Sequence, residues 1–160
     1  MNHSSHILYL TLLSLAEQAT RDPLTNLYNR RYFDEALTDH IALATRYNRS
    51  LTLLLLDLNQ FKKINDTCGH QAGDERLCQF AQHLLKTTRD ADLVFRYGGD
   101  EFAILLPETT LEGAEEVVHR LHKNTPHPFE VGYASLPTTT LFIDADQHLL
   151  SNKQKKEKDK

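Results

Sequence analysis

Two patterns of apolar residues alternate along the chain: a three-to-four spacing that belongs to helices and short unbroken runs that belong to buried strands. Leu8, Leu12, Leu15 and Ala19 recur at i, i+4, i+7 and i+11, one face of a helix. Pro23 and Asn26 in RDPLTNLYN mark a break, after which Phe33, Leu37, Ile41 and Ala44 predict a second amphipathic helix running to about Tyr47. A turn follows at Asn48 to Ser50. LTLLLLDL is apolar almost without interruption up to Asp57, as a strand buried on both faces should be. A loop ending at Gly73 leads into a helical stripe of Leu77, Phe80, Ala81, Leu84 and Leu85. ADLVFRY and EFAILLP read as two strands of a hairpin joined across Gly98 and Gly99. EGAEEVVHRLHK predicts another helix, PFEVGYAS a strand, and ADQHLLSNKQKK a weaker final helix.

From Leu51 to Ser135 the order is therefore strand, helix, strand, strand, helix, strand. This is an α/β (α+β) class with a ferredoxin-like βαββαβ core, a central antiparallel sheet flanked by helices. In that topology the first and third strands are central neighbours running in opposite directions, so Asp57 is expected beside Asp100 and Glu101. Residues 1–20 form an N-terminal helix, which either packs on its own domain or couples to a second chain, and residues 21–160 form the domain proper.

Composition narrows the classes of function. A chain of 160 residues with 40% apolar content can bury an ordinary core, and a net charge of −4 argues against general nucleic-acid binding. A nucleotide ligand needs only local charge. Cys68 and Cys78 have no zinc spacing and read as buried free thiols in a reducing cytoplasm. The run Ile7 to Ala16 is shorter than the roughly 20 residues of a membrane span and lacks the pattern of a signal peptide, so neither membrane insertion nor export is expected.

The chemistry concentrates at RYGGDEF, Arg96 to Phe102. Three carboxylates at the rim of a buried sheet would repel one another unless a cation neutralised them. With no histidine or cysteine in the cluster, the donors suit a hard ion such as Mg²⁺, which commonly binds through carboxylates and substrate phosphates. Gly98 and Gly99 would let backbone lie close to such a substrate. The bland alternative is a hairpin turn whose acids simply face solvent. FKKINDTCGHQAGDE adds Phe61, Lys62, Asn65 and Asp74; alone, Lys62 reads as a surface charge and Asp74 as a helix N-cap.

Taken together, RDPLTNLYNRRYF, LLLLDLNQFKKINDTCGHQAGDE, TRDADLVFRYGGDEFAILLP and EGAEEVVHRL resemble the GGDEF family, the diguanylate cyclases, over Arg21 to Leu121. The resemblance implies a fold like the nucleotide cyclases and polymerase palms, and condensation of two GTP molecules into cyclic di-GMP with release of pyrophosphate. It implies two Mg²⁺ ions per half-site, with Mn²⁺ as an alternative, and a homodimer that brings two half-sites face to face. Carried over, Asp57 and Asp100 are metal ligands, Leu58 offers its carbonyl, and Glu101 completes the acidic shell. Asp100 is also the family's proposed base for the 3′-hydroxyl, a role that bound magnesium could share. Lys62 would neutralise charge developing on the phosphates, and backbone amides near Phe61 and Lys62 would hold them. Asn65 and Asp74 match the guanine readers; a carboxylate accepts from N1–H and the 2-amino group of guanine, whereas adenine would leave it unpaired. Arg89, Asp92 and Arg120 match a product-inhibition site, against the alternative of a surface ion pair. Asp22 with Arg30 or Arg31 matches positions that tie the entering chain to the domain, and Asn26 replaces a common glycine.

The C-terminal part departs from the family. About ten residues of hairpin are missing between the EGAEEVVHRLHK helix and PFEVGYAS. Lys153 matches a phosphate-binding lysine, but Glu157 stands where an arginine is expected, with Lys156 or Lys158 as substitutes. A GTP or cyclic di-GMP sensor is therefore the second class of function, and an adaptor without ligand a third.

Overall fold

The computed structural model describes residues 3–158. In chain order these form α1 (His3–Thr20), α2 (Arg30–Tyr47), β1 (Leu51–Leu58), α3 (Phe61–Cys68), α4 (His70–Thr87), β2 (Leu93–Arg96), β3 (Glu101–Pro107), α5 (Leu111–Lys123), β4 (Phe129–Ser135) and α6 (Leu141–Lys158). The strands make one antiparallel sheet in the order β2-β3-β1-β4, the arrangement expected for the ferredoxin-like core.

The leucine run of β1 has no polar alternation because both of its faces are covered. Leu54, Leu56 and Leu58 pack with Leu77, Phe80 and Leu84 of α4 and Val117 and Leu121 of α5. Leu51, Leu53 and Leu55 pack with Phe33, Ala36 and Ala44 of α2 and with Leu141, Ala145 and Leu149 of α6. Side-chain caps fix where two helices begin: Tyr32 N–H donates to Asn29 and Gly113 N–H donates to Thr110. Asn26 takes φ +58°, which its short polar side chain tolerates.

Four expectations change. The loop ending at Gly73 is helical, as α3 and then α4 from His70, hinged at Gly69 with φ +86°. α3 is only eight residues long and none is fully buried, so its apolar positions, Phe61 and Ile64, are too few to mark a helix in the sequence. Asp74 consequently lies inside α4, whose N-cap position is Gly69. α6 starts at Leu141, earlier than ADQHLL suggests. Cys68 is exposed and Cys78 half-buried, its thiol directed at the Leu24 carbonyl, so the two free thiols are not both core residues.

The N-terminal helix does not pack on its own domain. Ile7, Leu8, Tyr9, Leu10, Leu12, Leu13 and Leu15 are between 44% and 60% exposed, and they run around much of the helix rather than down one seam. A helix this apolar gains stability only when another surface covers it. Among the described residues, no helix is long and apolar enough to cross a membrane.

The missing hairpin is visible as a direct connection: residues 124–128 alone join α5 to β4. α6 then lies close against β4. Asn152 Nδ2 donates to Val131 O at 2.9 Å, and Tyr133 N–H donates to His148 Nδ1 at 3.2 Å. On the far side of the sheet the segment entering α2 runs along β2, with Tyr28 N–H donating to Val94 O and Arg96 N–H to Tyr28 O. Close approach of α6 requires Gly132, because a Cβ there would overlap the backbone at Ala145 and Leu149. Replacing Gly132 by Ala should destabilise the fold by about 3 kcal/mol, read by chemical denaturation, because backbone cannot yield as a flexible side chain can.

Candidate functional site

Strand register builds the site. Asp57 of β1 is the Cα partner of Glu101 on β3 and of Glu130 on β4. Directly paired residues share a face, so three carboxylates lie side by side across the sheet, on the side covered by α6. Glu101 is where the sequence places it; Glu130 is an acid that strand patterning alone does not single out. Lys153 and Lys156, one turn apart on α6, answer two of them. Lys153 Nζ lies 2.8 Å from Asp57 Oδ2, and Lys156 bonds to Glu130.

The glycine turn fixes the third strand's end. Leu58 N–H donates to Asp100 O at 3.1 Å, while Tyr97 and Gly98 N–H both donate to Glu101 O. Gly98 is bare because the Glu101 carboxylate occupies the volume a Cβ would need; around Gly99 the space is open. Arg96 clamps the turn from below, its Nη2 donating to Gly99 O at 2.9 Å. The same guanidinium is 3.2 Å from Asp22, whose Oδ2 also accepts from Thr25 N–H at 2.8 Å and Thr25 Oγ1 at 2.7 Å. The tie from the entering chain therefore runs through Arg96. Arg30 instead stacks over Tyr97 and Arg31 pairs with Glu35.

Electrostatics divides these acids. Burial pushes Asp100 and Glu101 above the usual carboxylate range, Asp57 pushes both further, and Asp100 adds to the shift of Glu101; Lys153 opposes it. Burial would raise Asp22 too, but the Thr25 hydrogen bonds and the Arg96 charge outweigh it and leave Asp22 below its ordinary value. Among the described residues no three acidic, histidine or cysteine side chains converge into a ready metal cage. An all-oxygen donor set whose members repel one another nevertheless has the chemistry of a hard divalent-cation site.

A cleft of about 560 Å³ opens beside Asp57, lined also by Asn59, Gln60, Arg76, Pro128, Glu130, Lys153 and Lys156. Phe61 and Lys62 begin α3 at its edge. Gln60 precedes them at φ +57° with no side-chain cap, so the first amides of α3 remain available to an anion. Lys62 is exposed. Asn65 is half-buried at the α3–α4 junction, its Oδ1 without a hydrogen-bond partner and pressed against Gly73, where a Cβ would collide with it. Asp74 is exposed on the next turn of α4. Of the two, only the Asp74 carboxylate is exposed, an acceptor of the kind that a base rich in N–H donors uses.

Arg89 and Asp92 occupy the turn after α4, where Arg89 N–H donates to Asp92 Oδ2 at 2.8 Å. The contact is to backbone, and the two side chains form no ion pair. Arg120, on α5, lines a groove of about 990 Å³ with Lys86, Thr87 and Lys123. The side chain of Glu157 lies outside the described residues, although its backbone continues α6.

This fold and acidic turn have known counterparts. The model of the diguanylate cyclase GGDEF domain matches residues 19–159, and the chain belongs to the GGDEF domain family. It is 39% identical over 122 residues to the probable diguanylate cyclase DgcC of Escherichia coli, covering 72% of this chain and 33% of that protein. It is 42% identical over 118 residues to the response regulator PleD of Caulobacter vibrioides, covering 73% of this chain and 26% of the relative. The chain thus spans about a third or less of these relatives' length. Among crystal structures, the coiled coil and GGDEF domain of DgcB from Caulobacter crescentus, in complex with c-di-GMP, matches with a TM-score of 0.87 at 25% identity, covering 95% of this chain and 90% of that one. The diguanylate cyclase SiaD of Pseudomonas aeruginosa, in complex with its activator SiaC, matches with a TM-score of 0.82 at 32% identity, covering 95% and 65%.

Opposite effects on stability should follow from the two kinds of acid. Asp22 has a lowered pKa, so its contribution is complete above the ordinary carboxylate range and is lost as pH falls through its folded-state value. Asp22→Ala should cost about 2 kcal/mol at pH 7, and the gap from the parent in urea denaturation should narrow as the solution is acidified below the ordinary carboxylate range. Asp100 has a raised pKa, so its ionised form works against the fold at neutral pH. Asp100→Asn should raise the melting temperature of the metal-free protein by roughly 1–3 °C, measured by calorimetry at pH 7.

Proposed function

We propose that this chain is a diguanylate cyclase domain that condenses two GTP molecules into cyclic di-GMP, each protomer of a homodimer presenting one nucleotide. The observation that carries this reading is the alignment of Asp57 with Glu101 across β1 and β3, with Asp100 on the turn beside them and Lys153 reaching in from α6.

Asp57, Asp100, Glu101 and the Leu58 carbonyl would hold Mg²⁺, with Mn²⁺ able to replace it. When bound, the metal supplies positive charge at the phosphates and makes a coordinated hydroxyl more acidic. The residues do the rest. Asn65 and Asp74 hold the guanine edge, and the open N-terminus of α3 at Phe61 and Lys62, with Gly98 and Gly99 leaving backbone bare nearby, receives the phosphates. Lys62 and Lys153 stabilise charge that grows as the α–β phosphoanhydride opens, a contribution weighted toward the transition state. In each half-reaction the 3′-oxygen of one nucleotide bonds to the α-phosphorus of the other, the bond to the β-phosphate oxygen breaks, and pyrophosphate leaves. Asp100 on the turn beside Asp57 would accept the 3′-hydroxyl proton, a role that bound Mg²⁺ would share by acidifying the hydroxyl. Lys153 must leave Asp57 to reach a phosphate, so loading of the site exchanges one ion pair for another.

Two protomers are needed because one site holds one nucleotide. The uncovered apolar surface of α1 is the means of bringing them together, and Arg89, Asp92 and Arg120 are the residues on which product would act as inhibitor. Incubation of the purified chain with GTP and Mg²⁺, followed by chromatography, should give cyclic di-GMP at a rate per protomer that rises with protein concentration. Asp57→Asn should reduce that rate at least a hundredfold without loss of fold by circular dichroism. Product at the parent rate in Asp57→Asn would remove the metal assignment. GTP binding without product, even when a strong coiled coil is fused ahead of Asp22, would favour a nucleotide sensor.

A further inference from the structure

Arg76 is a charged group that the mechanism above does not use. It lies on α4, on the opposite side of the sheet's rim from α6, yet it lines the same cleft as Asp57, Lys153 and Lys156. The three cations of this cleft differ in their partners. Lys153 is held by Asp57 and Lys156 by Glu130, whereas among the described residues no carboxylate pairs with Arg76. Among the described residues its one hydrogen bond is from Nη2 to the Asn59 carbonyl at 3.3 Å, and its Nε is buried with no acceptor. A buried N–H left unpaired is costly, so the fold's own acceptors leave this guanidinium incompletely satisfied. Burial also lowers the pKa of the guanidinium, which remains charged at any working pH. Its neighbours on the cleft wall are Asn59 and Gln60, immediately before the uncapped first turn of α3.

We propose that Arg76 is a phosphate-binding residue of this cleft. The proposal rests on the nucleotide reading above. A guanidinium offers several donors in a fixed plane, which suits phosphate oxygens better than a lone ammonium does. The short connection of residues 124–128 ends at Pro128, which lines the same cleft as Arg76.

The test is a comparison of ligands with and without phosphates on the full chain. The probes are 3′-deoxy-GTP, which lacks the attacking hydroxyl and cannot be turned over, and 3′-deoxyguanosine, both with Mg²⁺ and followed by calorimetric or NMR titration. Arg76→Gln should weaken the triphosphate by about tenfold and leave the nucleoside unchanged, with partial recovery in Arg76→Lys. If Arg76→Gln weakens both ligands equally, Arg76 merely supports the Asn59 loop and the proposal is wrong. Unchanged triphosphate affinity overturns it as well. Failure of the parent chain to bind the triphosphate at all would remove the nucleotide reading itself, and this inference with it.

Discussion

Burial of β1 on both faces is the constraint on which everything else depends. Six consecutive buried residues, Leu51 to Leu56, leave the strand no solvent-facing side, and its two neighbours are held in register by packing on each face. A slip of one residue would turn Asp57 toward the layer formed by α4 and α5 and bury it among Leu77, Phe80 and Phe102. The cost of burying that charge excludes the slipped pairing. The levels of Glu101 and Glu130 follow from the same register, and with them the row of acids on the α6 side. The apolar core thus sets the geometry of the polar rim.

That rim is held in an arrangement the fold alone does not favour. Asp100 is half-buried and Glu101 exposed at the rim, both raised by neighbouring acids, and among the described residues neither makes a salt bridge. Lys153 and Lys156 meet this locally, each occupying one carboxylate from α6. An ion pair of this kind is readily exchanged, since the side chains are about one-third and one-half exposed and water screens the attraction. Placement of both lysines depends on α6 lying flat against β4, which Gly132 permits. A small residue in a strand well away from the acids thereby governs the charge balance among them.

Much of this was legible in the sequence, and the exceptions share a cause. The unbroken run of β1, the alternating helices and the glycine turn identify the topology, and topology alone brings Asp57 to Glu101 over a separation of 44 residues. α3 was hidden because its eight residues carry only Phe61 and Ile64 toward the core, too short a pattern to tell from a loop. Arg96, Glu130 and Arg76 were missed for another reason. Their roles arise from contacts between distant segments: Arg96 with Asp22, Glu130 with Lys156, Arg76 with Asn59. Local pattern carries no signal for such pairs. The fate of the N-terminal helix was open in the sequence because its leucines fit either a core or an interface; the structure shows them uncovered.

The side chains lying along the two outer strands have a further consequence. An open sheet offers unpaired backbone groups at both margins, and another extended chain can add itself there. Here the segment around Tyr28 occupies the margin of β2, and Asn152 and His148 reach down from α6 to the outward groups of Val131 and Tyr133 on β4. Strand addition is blocked on both sides, which protects a leucine-rich sheet from growing into aggregates. A second molecule that approaches this domain must therefore meet it through helices or across the acidic rim, where contact can be made and released without unzipping a ladder of backbone bonds.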